Sequence, residues 1–208
     1  MKSEGPVILA AFANDHSDQA RFLRNLSTEA QRIQKVLEPA QDLCPLVLLP
    51  GAKLEDILDA FQKYRDRVVV FHYAGHANGF QLLLESASGG VHRIGAKGLA
   101  SFLGQQQGLQ LVFLNGCSTE RQAEDLLAAG VGCVIATTQA IDDAVATDFS
   151  ARFYKGIVTG APLQAAYSEA VGAAQAFSGG SIDRLLVPLE GEEEVPHETG
   201  RWPWLLKL

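Results

Sequence analysis

The stretch Val68-Val69-Val70-Phe71-His72-Tyr73-Ala74-Gly75-His76 reads as a buried strand that stops at a reactive side chain. A second stretch, Leu109-Gln110-Leu111-Val112-Phe113-Leu114-Asn115-Gly116-Cys117, has the same layout and stops at a thiol. In both, a small residue stands just before the His or the Cys. Nearly continuous apolar strands belong to parallel sheets covered on both faces. As neighbours in such a sheet, the two strands present imidazole and thiol side by side at its carboxyl edge. Open α/β folds place their sites on that edge. A thiol beside an imidazole is the minimum equipment for covalent acyl transfer.

The flanking sequence supplies the rest of an α/β alternation. Pro6 to Ala13 is a short apolar strand. Asp15, Ser17 and Asp18 then offer helix N-caps, and Phe22, Leu26, Ala30, Ile33 and Leu37 recur at helical spacing on one face. Pro39 ends that helix. Leu43 to Leu49 is a second strand, closed by the Pro50-Gly51 turn. Leu54, Ile57, Leu58 and Phe61 make a second amphipathic helix before the His strand. Gly79 to Glu85 and Val91 to Ile94 bracket Ser86-Ala87-Ser88-Gly89-Gly90 as a hairpin, and Ala96 to Gln106 is a helix. After Cys117 come a helix at Glu120 to Ala129 with Gly130 as its C-cap, and a strand at Val131 to Thr138. Two helices follow, one capped by Asp142 or Asp143 and one from Leu163 to Phe177. The order predicts right-handed crossovers and a mainly parallel sheet with helices on both faces. Beyond it, Ser178-Gly179-Gly180-Ser181 reads as a flexible break and Glu190 to Glu198 as an acidic loop. Trp202 to Leu206 is apolar enough to dock back as an edge strand.

Composition narrows the function classes. The chain has 208 residues, 47% apolar and 20% charged, enough for one domain with a full core. The formal charge of −7 argues against a nucleic-acid footprint. No stretch reads as a signal peptide or a membrane span, so the expected location is the cytoplasm. Cys44, Cys117 and Cys133 stand at irregular spacing, which suits neither a disulfide framework nor a CxxC metal site. His72, His76 and His92 lack an acidic or thiol ligand at a helpful spacing. No metal and no other cofactor is expected.

Four stretches together resemble the caspase and separase clan of cysteine peptidases, and within it the bacterial CHAT domains. They are Tyr73-Ala74-Gly75-His76, Asn115-Gly116-Cys117-Ser118-Thr119, Val134-Ile135-Ala136-Thr137 with Asp142-Asp143, and the helix containing Phe153-Tyr154. The order of elements between them matches as well, over about residues 7 to 175. The resemblance implies a caspase-like three-layer α/β/α fold formed as a single domain by residues 1–208, with the break and tail from 178 onward as the place for a link to a further module. It implies endopeptidase activity through a Cys-His dyad, with Cys117 as nucleophile and His76 as acid/base. The backbone N–H groups of Cys117 and Ala77 would form the oxyanion hole. The family commonly has glycine after the histidine where this chain has Ala77, and an alanine N–H still donates. Some relatives hold a basic substrate side chain with an acidic residue after the fifth strand, for which Asp142 and Asp143 are the nearest candidates here. Such domains act as effectors triggered by a sensor module or partner protein.

Each residue also has a plainer reading. Cysteine is among the most buried residue types, and a Cys or His at a strand end is commonly packing. His72 reads as a core histidine, and Cys44 and Cys133 as core thiols. Asp142 and Asp143 fit helix caps as well as substrate ligands. A non-catalytic caspase-like module that binds a partner peptide is the alternative to the peptidase.

Overall fold

The computed structural model describes residues 5–19, 21–86, 90–177 and 203–208. Their core is a six-stranded sheet. In chain order its strands are β1 (Val7–Ala13), β2 (Leu46–Pro50), β3 (Val68–Gly75), β6 (Leu111–Asn115), β7 (Cys133–Thr137) and β8 (Trp204–Lys207). Between β3 and β6 lies a separate antiparallel hairpin of β4 (Gln81–Glu85) and β5 (Val91–Gly95). The spatial order is β2-β1-β3-β6-β7-β8. Every neighbouring pair is parallel except β7–β8. The mainly parallel sheet read from the apolar runs is therefore the one formed, and the apolar tail docks as the antiparallel edge strand.

Among the described residues, six α-helices cover the two faces: α1 (Leu26–Leu37), α2 (Leu54–Lys63), α3 (Ala96–Leu103), α4 (Glu120–Ala128), α5 (Asp143–Val158) and α6 (Leu163–Phe177). Ile57 and Phe61 of α2, Leu99 and Leu103 of α3 and Leu126 of α4 pack with the hairpin's Leu82 and Leu84 on one face. Ile33 and Leu37 of α1, Phe149 and Phe153 of α5 and Ala166 of α6 pack on the other. Strand alternation divides the strands between these layers. Phe71 and Tyr73 belong to the first, while Ala74 and Phe113 belong to the second. Gly156 lets α5 approach α6 closely, because a Cβ there would stand 2.8 Å from that of Ala166.

Helix α1 starts later than its periodicity predicts. Its first residue is Leu26, and Phe22, expected on its buried face, is 41% exposed in the loop before it. The physical reason is local. The side chains of Asn14 and Asp15 take up backbone N–H groups of residues 15, 17 and 23, which offers this segment an alternative to helical pairing. The second strand also begins later, at Leu46 rather than Leu43, which is exposed. The Ser178–Ser181 break, the acidic Glu190–Glu198 segment and Trp202 fall outside the described residues. No described helix is long and apolar enough to cross a membrane.

Candidate functional site

Two strand ends build the site. Ala74 of β3 pairs with Asn115 of β6, so residues 76 and 117 each lie two positions beyond one aligned pair. The turns that follow touch. A Cβ on Gly116 would stand 2.7 Å from the Gly75 carbonyl oxygen and 2.8 Å from the Ala77 Cβ, so only glycine permits this approach. Cys117 is partly buried and packs on the α1/α5 side of the sheet.

A polar lock holds the turn that carries Cys117. Ser118 has a φ of 50°, the left-handed region that non-glycine residues rarely enter. Its N–H donates to the Gln139 carbonyl at 3.2 Å. Next to it, the Thr119 N–H donates to Thr137 Oγ1 at 3.2 Å, and the Thr137 N–H donates to Thr119 Oγ1 at 2.9 Å. The Thr137 hydroxyl also donates to the Gly116 carbonyl. The end of β7 thus clamps the turn on both sides of the thiol. Thr137 lies inside a recognised motif, but its spacing carries no sign of this clamp.

His76 is held at both its backbone and its ring and is 4% exposed. The Tyr73 hydroxyl lies 2.6 Å from both the His76 and Leu83 carbonyls. Burial, and secondarily the charge at Cys117, raises the Tyr73 phenol well above its ordinary pKa, so it stays a neutral donor. The imidazole Nε2 meets the Arg21 carbonyl oxygen. A carbonyl only accepts, so Nε2 carries the proton and Nδ1 is the basic nitrogen of the neutral ring.

Ala77 and Leu82 form an isolated antiparallel bridge, framed by Leu83 N–H to the His76 carbonyl and Asn78 N–H to the Gln81 carbonyl. In that arrangement the Ala77 N–H points away from Leu82. Gln122 of α4 braces the same turn, donating to the carbonyls of Asn78 and Gln81. Phe80, at the tip, is 60% exposed, with the Arg121 guanidinium 4.4 Å from its ring centre.

The two acidic candidates lie beyond β7. Asp142 caps α5, accepting from the N–H groups of Ala144 (2.9 Å) and Val145 (3.2 Å). Asp143 accepts the Asn25 N–H at 2.8 Å and so ties the start of α1 to the start of α5. Burial raises the Asp143 carboxyl above its ordinary value, partly offset by that bond. Both carboxylates therefore have backbone partners within the domain.

His72 is fully buried, as a core position requires, but neither of its ring nitrogens makes a hydrogen bond. Its Nε2 sits 3.3 Å from Glu29 Oε1, close but not aligned for one. Burial acts on the two remaining thiols. Burial pushes Cys133, within β7, up to about 11 and also raises Cys44, which is half-buried rather than in the core. Only the thiolate reacts rapidly with electrophiles. Mass-spectrometric mapping after brief iodoacetamide treatment at neutral pH is expected to find the label on Cys117. Cys133 is expected to react only after unfolding.

Solved structures with this architecture include the Drosophila initiator caspase Dronc, with a TM-score of 0.59 and 10% identity over 100% of this chain and 81% of that one. A secreted C11 cysteine protease from Bacteroides thetaiotaomicron has a TM-score of 0.56 and 9% identity over 84% of this chain and 60% of that one. For the Arg-specific cysteine proteinase gingipain R the values are 0.51 and 13%, over 84% and 42%. This chain therefore spans less than two thirds of the latter two. At such identities the likeness is one of fold, and the fold is caspase-like. No curated protein matches in sequence. Residues 2–180 match the CHAT domain model, and the chain belongs to the CHAT domain family.

Proposed function

We propose that the chain is a cysteine endopeptidase that cleaves a protein substrate through Cys117 and His76. The observation that supports this reading is the strand register: Ala74 opposite Asn115, with the turns after both strands in close contact at Gly116 and leading to an imidazole and a thiol. Nδ1 of His76 takes the thiol proton, and the thiolate attacks the scissile carbonyl. The developing oxyanion is met by the N–H groups of Cys117 and Ala77, each worth about 3–4 kcal/mol when preorganised. The tetrahedral species collapses to a thioester as His76 protonates the leaving amine. Water, deprotonated by His76, then hydrolyses the thioester and restores the thiol. The helix α4, which starts at Glu120, directs its positive end toward the thiolate.

We further propose a regulated effector in a bacterial cytoplasm, switched on by a sensor module or partner protein. The burial of His76, at 4% exposure, suits an enzyme that opens on activation. The same burial favours the second reading, a caspase-like module that binds a peptide without cleaving it.

The two readings part on one experiment. The protein, alone and with candidate activating partners, is incubated with a mixed peptide library beside Cys117→Ala. The peptidase reading expects cleavage that disappears in the variant, and labelling of Cys117 by a peptide-like electrophile. Peptide binding without cleavage or labelling, under conditions that open the site, would establish the binding module instead.

A further inference from the structure

Asn14 to Gln19 leave β1, and Arg21 to Leu23 return before α1. Asn14 closes this loop. Its Nδ2 donates to the Leu23 carbonyl at 2.9 Å, while its Oδ1 accepts the Leu23 N–H at 2.9 Å and the Asp15 N–H at 3.0 Å. The two-way bond to Leu23 imitates a strand pair and joins the ends of the loop across nine residues. The base of the loop is tied to the hairpin, since Glu85 Oε1 accepts the Asn14 N–H at 3.3 Å and lies 3.2 Å from His16 Nε2.

Inside the loop, Asp15 is 2% exposed, and its Oδ1 accepts from the Ser17 N–H at 3.0 Å and Oγ at 2.6 Å. Burial raises the Asp15 carboxyl, but the Ser17 bonds and the charges of Arg21 and His76 outweigh it and hold it below its ordinary value. An ionised carboxylate therefore lies within electrostatic reach of His76. Arg21 pairs with Asp18 at 3.6 Å, and its carbonyl receives His76 Nε2. Ala13 is aligned with Gly75, so the loop leaves β1 beside the His strand end.

We propose that Asn14 is a positioning residue for the dyad: by closing the loop it holds the Arg21 carbonyl against His76 Nε2 and so commits Nδ1 to proton exchange with Cys117. The role of Nδ1 rests on the peptidase reading, while the tautomer and its dependence on Asn14 do not. Without the clamp the loop ends separate, the carbonyl leaves the ring, and the imidazole can turn or take its other tautomer. The charged or titratable groups of this neighbourhood are Asp15, which interacts electrostatically with both Arg21 and His76, and Tyr73, which bonds the His76 carbonyl and interacts with Cys117. The hydrogen bond described at Nε2 is the one to the Arg21 carbonyl.

Nitrogen NMR of histidine-labelled protein tests this, with the His76 signals assigned through His76→Ala. The wild type is expected to show the Nε2–H tautomer above the pH at which the ring loses its charge. Asn14→Ala is expected to show mixed tautomers and a Cys117 alkylation rate lower by about ten- to a hundredfold, the scale of a misplaced catalytic group. On a cleaved peptide, kcat is expected to fall with KM nearly unchanged. Asn14→Ser, which keeps one hydrogen-bonding atom, is expected to fall between and carries the comparison if the alanine variant does not fold. A wild-type Nδ1–H tautomer overturns the proposal outright. So does a folded Asn14→Ala with wild-type tautomer and alkylation rate. A wild type with the expected tautomer but no reactivity at Cys117 would overturn the peptidase reading and leave the positioning intact.

Discussion

His76→Ala is expected to lower kcat/KM on any peptide the wild type cleaves by about 10²–10⁴-fold, the usual contribution of a positioned acid/base. Two steps lose their proton carrier. Cys117 then ionises unaided, and an ordinary thiol is only a few per cent thiolate at neutral pH. The leaving amine must take its proton from water. The fold is expected to survive, because the substitution removes one side-chain hydrogen bond, to the Arg21 carbonyl, worth about 1 kcal/mol. The strand end stays tethered, since the Tyr73 hydroxyl bonds the backbone carbonyl at position 76 and needs no imidazole. Steady-state kinetics beside a thermal melt separates the two effects. An unchanged rate in a folded variant would remove His76 from the mechanism.

Glu29→Ala is expected to destabilise the domain by about 3 kcal/mol, although Glu29 touches neither Cys117 nor His76 in the contacts described. Its carboxylate is buried between α1 and the sheet. There it accepts from Asn115 Nδ2 at 2.7 Å and lies 3.3 Å from His72 Nε2. Asn115 in turn donates to the Ala146 carbonyl at 3.2 Å and accepts the Trp204 indole N–H at 3.3 Å. Trp204 stacks on Phe149, ring centres 4.4 Å apart, and so seats β8. Removing Glu29 breaks its buried hydrogen bond from Asn115 and takes the carboxylate away from His72, leaving space between α1 and the sheet. A hydrogen bond to a charged group is worth about 1.5–3 kcal/mol, and breaking a buried pair by removing one partner costs about 3–5 kcal/mol. For a chain of this size, about 3 kcal/mol corresponds to a fall in Tm of about 6–12 °C. Calorimetry or urea unfolding reads it directly. The pair Glu29→Leu with His72→Phe is expected to recover much of the loss, because apolar replacement removes both members of the buried pair and refills the space. A loss confined to a few tenths of a kcal/mol in Glu29→Ala would show that the network adds nothing to stability.

The strands were legible because their chemistry is local. Val68 to Gly75 and Leu111 to Asn115 are apolar on both faces, and a chain that must bury both faces of a strand shows it in composition. The same holds for the helices α2, α4, α5 and α6, whose apolar positions or caps repeat at helical spacing. The Cys and His stood out because they end those runs. The start of α1 was misplaced for a reason periodicity does not report. Phe22 keeps the helical spacing, but Asn14 and Asp15 draw the backbone around them into a loop.

By itself, then, the sequence determined the alternation of strands and helices and the mainly parallel sheet, and it singled out His76 and Cys117, which the strand register places just beyond neighbouring strand ends. Only the tertiary structure decided what holds them. His76 is oriented by the carbonyl of Arg21, an atom every residue possesses, so no residue type announces it. The turn of Cys117 is clamped by Thr137 from the next strand, and the buried Glu29 finds its partners from β3 and β6 across the sheet. These are contacts between segments far apart in the chain, and they exist only once hydrophobic burial has brought the layers together.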